Sequence, residues 1–496
     1  VCVIAGLGYT LKSLYKSQKD FQGAFSIKGG GKMTHTANLA HSRNKGAILI
    51  VSMVFVVIFS ALAVSMAAIS GTNIQIAVNQ HKADSARICA ESGLEVLRFW
   101  LSRISISGTT ADELKFSQIV SSLQQDLADE CITNVTTSYD GSTVTIPSVT
   151  LDSQSQKSFY GKITKIDNNN VELEVTGVSG AITRTIRTDY YLGERANTVF
   201  DFGVATKGPL SLSGNIDLSG VNVSVEASVY IESENSNLAL SIIGGSQIAG
   251  DVSITNPLAS VYLQGGQAGI GGETGQEAVD NHVSFGAPMN EFPEPDPTQF
   301  ESYICSVVDA NTDTSADATF ENIRIAANTN PTFTGQVTLK GIVYIDTPNV
   351  VQFAGGVDIT GIIVGNGDTL DDSSQNKLIF SGDVTSHPIT ELPEETQFYG
   401  LQDQTGTFVM TPGFHVSFGG NFGTISGAIA GNGIEFYGNA GGTINGSVLN
   451  YSDEEMLLSG NNDLYFNRSG LTEVPAGFVP EIVLVYNPSS YSEVLL

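Results

Sequence analysis

Apolar and polar positions divide this chain into three regimes. From Gly46 to Ile69 the sequence GAILIVSMVFVVIFSALAVSMAAI is apolar throughout, and no Lys, Arg, Asp or Glu occurs between Lys45 and Lys82. An α-helix needs ~20 such residues to cross a bilayer core, so the run predicts a membrane helix. Beyond it the apolar positions thin to a stripe. Val78, Ala86, Cys89, Gly93, Val96, Trp100 and Ile104 recur at helical intervals, with Lys82, Asp84, Arg87, Glu91, Glu95 and Arg98 between them. No Pro interrupts Gly71 to Ile104. One continuous helix over residues 47–104 is therefore predicted, roughly 85 Å long at ~1.5 Å per residue, with Gly71 and Gly93 as weak points.

The period then changes twice. Leu114, Ile119, Val120, Leu123 and Leu127 fit a second helix between Thr109 and Asn134. Ser158 to Ile166, Val171 to Val178 and Ala181 to Leu192 alternate apolar with polar around the turn Asp167 to Asn170, which predicts a three-stranded antiparallel meander. Residues 105–198 read as a small α+β head. From 199 to 470 the chain becomes a succession of short strands punctuated by Gly, Asn, Ser and Asp. Examples are Leu210 to Leu212 before Ser213-Gly214-Asn215, and Ile362 to Val364 before Gly365-Asn366-Gly367. This spacing suits an irregular right-handed parallel β-helix, in which alternate side chains enter a narrow core and Gly or Asn turns the corners. About ten coils at ~4.8 Å would make a rod roughly 50 Å long. A β-sandwich or antiparallel barrel stays open as the alternative. A Pro-rich excursion at 287–304 (Pro288, Pro293, Pro295, Pro297) and a lesser one at His387 to Glu395 cannot continue a ladder. Residues 471–496, with Pro475, Pro480 and Pro488, are expected to cap the open edge of the last coil.

Charge adds an orientation. Residues 1–46 hold seven Lys or Arg against the single Asp20, so the positive-inside rule keeps this basic, unstructured leader in the cytoplasm and sends the remainder out. Residues 104–496 hold 12 Lys or Arg against 47 Asp or Glu, a net of −35. Such an exterior repels phosphate backbones, which excludes nucleic acid as a partner. Cys2, Cys89, Cys131 and Cys305 are too scattered for a disulfide scaffold or a zinc site. Cys89 and Cys131 both follow the membrane run and form a candidate disulfide; two unpaired, partly buried thiols are the other reading.

Two stretches carry a family resemblance. Arg43-Asn44-Lys45-Gly46 is followed by Ala47-Ile48-Leu49-Ile50-Val51, and some forty residues on by Ala86-Arg87-Ile88-Cys89-Ala90-Glu91-Ser92-Gly93-Leu94-Glu95. Over residues 40–105 the chain resembles the type IV pilins, specifically the PilX-type minor pilins and the K-type pseudopilins of type II secretion. Met33 is an alternative start that would leave Met33 to Gly46 as a short basic leader ending in Gly, and the resemblance implies that a prepilin peptidase cuts such a leader between Gly46 and Ala47. It also implies a helix that first anchors the subunit in the inner membrane and then packs in a fibre core. Major pilins have Glu five residues past the cut. Val51 stands there instead, which resembles the K-type tip subunit. Expected partners are other pilin or pseudopilin subunits and their assembly machinery. A cleaved signal peptide, with Ala61-Leu62-Ala63 or Ser65-Met66-Ala67 at the cut, and a plain single-span anchor remain as alternatives.

Catalytic pieces are sparse. Asn311-Thr312-Asp313 and Asp371-Asp372 resemble the carboxylate motifs of polygalacturonases, whose paired acids protonate the glycosidic oxygen and activate water. Here the two motifs lie far apart, no Gly-His-Gly follows, and Arg324 precedes the second pair. His282, His387 and His415 are isolated along the sequence, and Gly365-Asn366-Gly367-Asp368 is too brief for a calcium loop. Phe414, Phe418, Phe422, Phe436 and Tyr437 either stack in a core or line an exposed face for a surface polysaccharide. The residues point away from an enzyme and imply no cofactor. They fit a single-pass inner-membrane subunit that carries a β-helix into the periplasm or beyond, with a polysaccharide-active enzyme or a plain anchored surface protein as the alternatives.

Overall fold

A computed structural model describes residues 47–132, 134–234, 236–370, 373–469 and 474–494. The chain forms two compact units, Val1–Val78 and Asn79–Leu496. Helix α1 (Ala47–Arg103) spans the boundary, and its described side chains in the first unit, from Leu49 to Val78, are all exposed.

In the second unit, α1 lies on a seven-stranded antiparallel sheet. The strand order is Ser105–Ser107, Glu481–Val494, Ile182–Arg195, Asn170–Ser179, Lys157–Lys165, Thr143–Asp152, Ser138–Tyr139. Around Ala86, Ala90 and Gly93 helix and sheet approach so closely that only small residues fit between them. A Cβ on Gly177 would stand 2.0 Å from the Ala86 carbonyl oxygen and 2.3 Å from the Ala90 nitrogen, and one on Gly93 would meet the Phe159 ring at 2.5 Å. Helix α2 (Lys115–Asp129) closes the same core with Phe116, Ile119, Val120, Leu123 and Leu127, whereas Leu114 is exposed. The three expected strands are present, within a sheet of seven. The expected end cap differs: Glu481–Val494 pairs with Ile182–Arg195 inside the head. A bulge at Asn487 to Ser492 and Pro488 blunt its outer edge.

Between those two head strands the chain builds a body of two parallel sheets, of 14 and 12 strands. Within these sheets, among the described residues, strand pairing is parallel except Gly269–Ile270 with Glu273–Thr274, which removes the antiparallel barrel from consideration. Strand order is not chain order. In the 12-stranded sheet the main path runs Val283–Phe285, Val252–Ile254, Val229–Ile231, Val204–Thr206, Val448–Asn450, Ala428–Gly431, Thr407–Thr411, Val357–Gly365, Val337–Ile345, Ala318–Ile325, Ser306–Val308. The chain thus enters mid-stack at Val204 and advances to one end at Phe285. It crosses to the opposite end through residues 286–305 and advances again until Val448–Asn450 meets Val204–Thr206. At this seam Met456–Phe466 also lies along Leu210–Gly220 in unbroken register. Gly214 and Gly460 face each other across it with φ 129° and 109°, and a Cβ on Gly214 would meet the Gly460 carbonyl oxygen at 2.1 Å.

The main core lies between the two sheets. Phe333, Phe353, Phe380, Phe418 and Phe436 occupy one register position on successive strands and stack, with centroids 4.9, 5.4, 4.8 and 5.2 Å apart and ring planes within 12°. A second core covers the outer face of the 12-stranded sheet. There Tyr230, Ile342, Tyr344, Ile362, Val364 and Met410 meet Phe300, Phe398, Leu401 and Phe478 from segments that cross the sheet. Covered on both sides, this sheet loses alternation: Gly341 to Ile345 and Gly361 to Gly365 are buried at every position. The 14-stranded sheet keeps it, as in Val350–Phe353 and Lys377–Phe380, where only every second residue is buried.

Two substitutions probe this packing. Phe380→Ala removes the centre of the ring stack and is expected to cost about 3–5 kcal/mol. Gly177→Ala forces helix from sheet and is expected to cost at least ~1–3 kcal/mol. Denaturant unfolding of the full chain in detergent reads both, and a loss well below 1 kcal/mol in either variant contradicts the packing described.

Candidate functional site

The feature most unlike a folded interior is the apolar half of α1. Its most apolar 18-residue window has a mean hydropathy of 2.7, and none of that window is buried, which makes α1 one helix long and apolar enough to cross a membrane. Three of its hydroxyls are satisfied locally. The hydroxyls of Ser52, Ser65 and Thr72 donate to the carbonyls of Leu49, Ala61 and Ala68 at 2.9, 2.9 and 3.0 Å. Hydroxyls paired in this way are tolerated in a hydrocarbon solvent. Gly46 of the expected cleavage junction lies outside the described residues, and Ala47 is helical backbone. Val51 presents an uncharged, half-exposed side chain.

The second stretch of the pilin resemblance acquires a physical reading. Ala86, Ala90 and Gly93 are the positions that the close sheet requires to be small. Arg87 and Glu91 pair at 3.0 Å on the adjoining flank, where the Tyr491 hydroxyl of the sheet donates to the same Glu91 oxygen at 3.4 Å. The expected apolar stripe is shifted in part. Ala86, Cys89, Gly93 and Ile104 are buried, Val78 and Val96 are exposed, and Leu94, Leu97 and Leu101 supply the remainder.

The candidate disulfide is not formed, and Cys89, Cys131 and Cys305 are free thiols. Arg103, at the C-terminal end of α1, reaches Glu130 at 3.2 Å, which places neighbouring Cys131 at that end. Cys89 sits fourteen residues earlier on the helix, roughly 21 Å away at ~1.5 Å per residue. A disulfide needs Cα atoms within about 7 Å. Burial pushes the Cys89 thiol above its ordinary range.

The candidate catalytic carboxylates are turn formers where they are described. Asp313 accepts from the Ser315 hydroxyl and backbone N–H at 2.7 and 2.9 Å, and these bonds hold its carboxyl below the usual range. An acid held ionised in this way is a poor proton donor. Asn311 donates to Asp309. Arg324 is engaged bidentately by Asp346 at 2.8 and 2.9 Å. Asp371 and Asp372 lie outside the described residues. Asn366 bridges neighbouring strands, accepting from the Thr347 N–H and donating to Asp346. Among the described residues no group of three or more His, Cys, Asp or Glu is placed to hold a metal ion. The late aromatics resolve toward the core: Phe414, Phe418, Phe422 and Phe436 are buried, and Tyr437 is half-buried.

Sequence reasoning missed how the histidines are placed. His282 Nδ1 stands 2.7 Å from Asp251, His387 Nε2 3.2 Å from Asp358, and His415 Nε2 3.8 Å from Glu435. Each pair joins residues far apart in sequence that parallel register brings together. Also missed was a head cavity of about 470 Å³ lined by Asp112, Lys115, Asn169, Asn170, Tyr191 and Glu194.

No known protein family and no curated protein matches this chain. Among solved structures, that of the competence-associated pilin ComZ from Thermus thermophilus aligns with a TM-score of 0.20 at 12% identity, covering 84% of this chain and 98% of that one. Likeness at that score carries no argument about fold or function.

The thiol assignment is open to a direct check. In the native chain a bulky maleimide is expected to label Cys131 and Cys305 rapidly and Cys89 only after unfolding. Protection of Cys131 that reductant relieves contradicts it.

Proposed function

We propose that the chain is a pilin-like membrane subunit, similar to PilX-type minor pilins and K-type pseudopilins. In this reading α1 holds it in the inner membrane, with the N-terminus cytoplasmic, and the acidic body is displayed outside as a right-handed β-helix. One observation carries the reading: a single helix is apolar and exposed at its start, then set by Ala86, Ala90 and Gly93 onto an antiparallel sheet. A signal peptide has no use for that continuation, and a plain anchor has no need of a helix shared between two units. Partners under this proposal are other pilin or pseudopilin subunits and the machinery that assembles them. The body has the bulk of a tip or low-copy subunit. Residues 199–480 hold five Lys or Arg against 33 Asp or Glu, so any surface polysaccharide it binds is neutral or cationic. The role is display and binding; the turn-bound Asp309 and Asp313 support no acid–base chemistry.

The mature N-terminus tests this. Coexpression with a prepilin peptidase is expected to yield a protein beginning at Ala47, and Gly46→Arg is expected to block the cut. A new terminus near Ala67 supports secretion instead, and an uncut chain supports the plain anchor. Anchoring is tested separately by Val54→Asp with Phe59→Asp, each costing about 2.5–3.5 kcal/mol at a membrane centre. The double variant is expected to leave the membrane fraction; full retention overturns the anchor.

A further inference from the structure

The crossing segment 286–305 is fastened where the two halves of the body meet. Tyr451 and Lys207 follow directly on the two seam strands and Glu232 on the strand beside them, Val229–Ile231, in register, with the Lys207 N–H on the Asn450 carbonyl (3.0 Å) and the Glu232 N–H on the Thr206 carbonyl (2.9 Å). Above this row runs the strap. Its Asn290 N–H donates to the Tyr230 hydroxyl at 2.9 Å, and its Pro293 carbonyl accepts from the Tyr451 hydroxyl at 2.5 Å. Between those bonds the Phe292 ring packs on Tyr451 with centroids 5.3 Å apart. The Lys207 ammonium lies 5.4 Å from the Phe292 centroid and 5.9 Å from that of Tyr451. A cation so placed is worth ~0.5–2 kcal/mol, more as water is excluded. One residue along the row, Glu232 offers the same ammonium a competing partner.

We propose that Lys207, Glu232 and Phe292 form a proton-operated latch over the seam. With Glu232 uncharged, the ammonium rests on the two rings and the strap is held. With Glu232 ionised, the carboxylate draws Lys207 away, and Phe292 loses its cation.

The groups around Glu232 set the direction. Burial raises its carboxyl to about 7, Lys207 opposes the rise, and Glu234 of its own turn and Asp453 beyond the neighbouring strand add to it. An unfolded chain releases that proton near 4.5. Because the folded value is the higher, the stabilisation is complete below 4.5 and is lost as pH rises through 7. The neighbouring phenols stay neutral across this range: burial pushes Tyr230 up to about 12 and Tyr451 higher still. Strap backbone at Glu291 is held independently by the Asn197 side chain at 2.8 Å, so loosening is confined to the ring contact, its flanking bonds and the strand ends beneath them.

Hydrogen exchange of the full chain in detergent, corrected for the intrinsic pH dependence of amide exchange, reads the latch. Protection of peptides covering 204–207, 229–232, 290–293 and 448–451 is expected to fall up to about tenfold from pH 6 to pH 8, with the head peptides unchanged. Glu232→Gln is expected to hold the pH 6 level at both values. Phe292→Leu keeps the apolar fill and removes the ring; it is expected to lower protection at pH 6 toward the pH 8 level. The idea is overturned if Glu232→Gln retains the pH dependence, if Phe292→Leu leaves seam and strap protection unchanged, or if head and seam respond alike.

Discussion

Everything in the second unit depends on one antiparallel pairing, Ile182–Arg195 with Glu481–Val494. These strands bracket the whole parallel body, so the body must begin and end at the same place. A stack of parallel strands that simply advanced along its axis would leave its two ends on opposite faces, roughly 48 Å apart for eleven strands at ~4.8 Å. The chain meets this constraint by starting in the middle. It fills one half, returns along the outside and fills the other half toward its own starting strand. Arg195 and Asn197 fix the exit point: Arg195 reaches Glu481 at 3.0 Å, and Asn197 holds both Glu481 and the strap at Glu291.

That arrangement explains the charge and burial that composition leaves ambiguous. Because the return path needs a surface to lie on, one sheet must be apolar on both sides. The cations of the body are spent largely on internal contacts: Arg324 on Asp346, Lys340 near Glu321, Arg468 on the carbonyls of Val225 and Glu226, Lys207 on two rings. What remains outside is carboxylate. The acidic exterior and the doubly covered sheet are two faces of the same topology.

How much of this could be read beforehand follows the range of the interactions. The apolar run, α2 and three head strands rest on neighbours a few residues apart, and their periods stand in the sequence. The Pro-rich stretch was legible as something unable to join a ladder. Its destination was not, because nothing near Pro293 announces Tyr451. Runs such as Gly341 to Ile345 do signal burial on both faces, a cue that alternation-based reading passes over. Glu481–Val494 was misplaced because its partner lies about three hundred residues earlier. The candidate bridge failed for a related reason: nearness to one apolar run says nothing about height along a helix. Aromatic stacking in the core was one of two readings left open, and register decides it.

The strap also acts as a ruler. Extended backbone together with its turn of 3-10 helix, Pro297–Tyr303, reaches roughly 57 Å, against the ~48 Å it must cover. The surplus accommodates about two further strands per sheet. A relative taller by more than about two layers must lengthen residues 286–305 in step with each further layer, and a shorter one would carry slack there. Insertions in the crossing segment and insertions in the stack should therefore be inherited together.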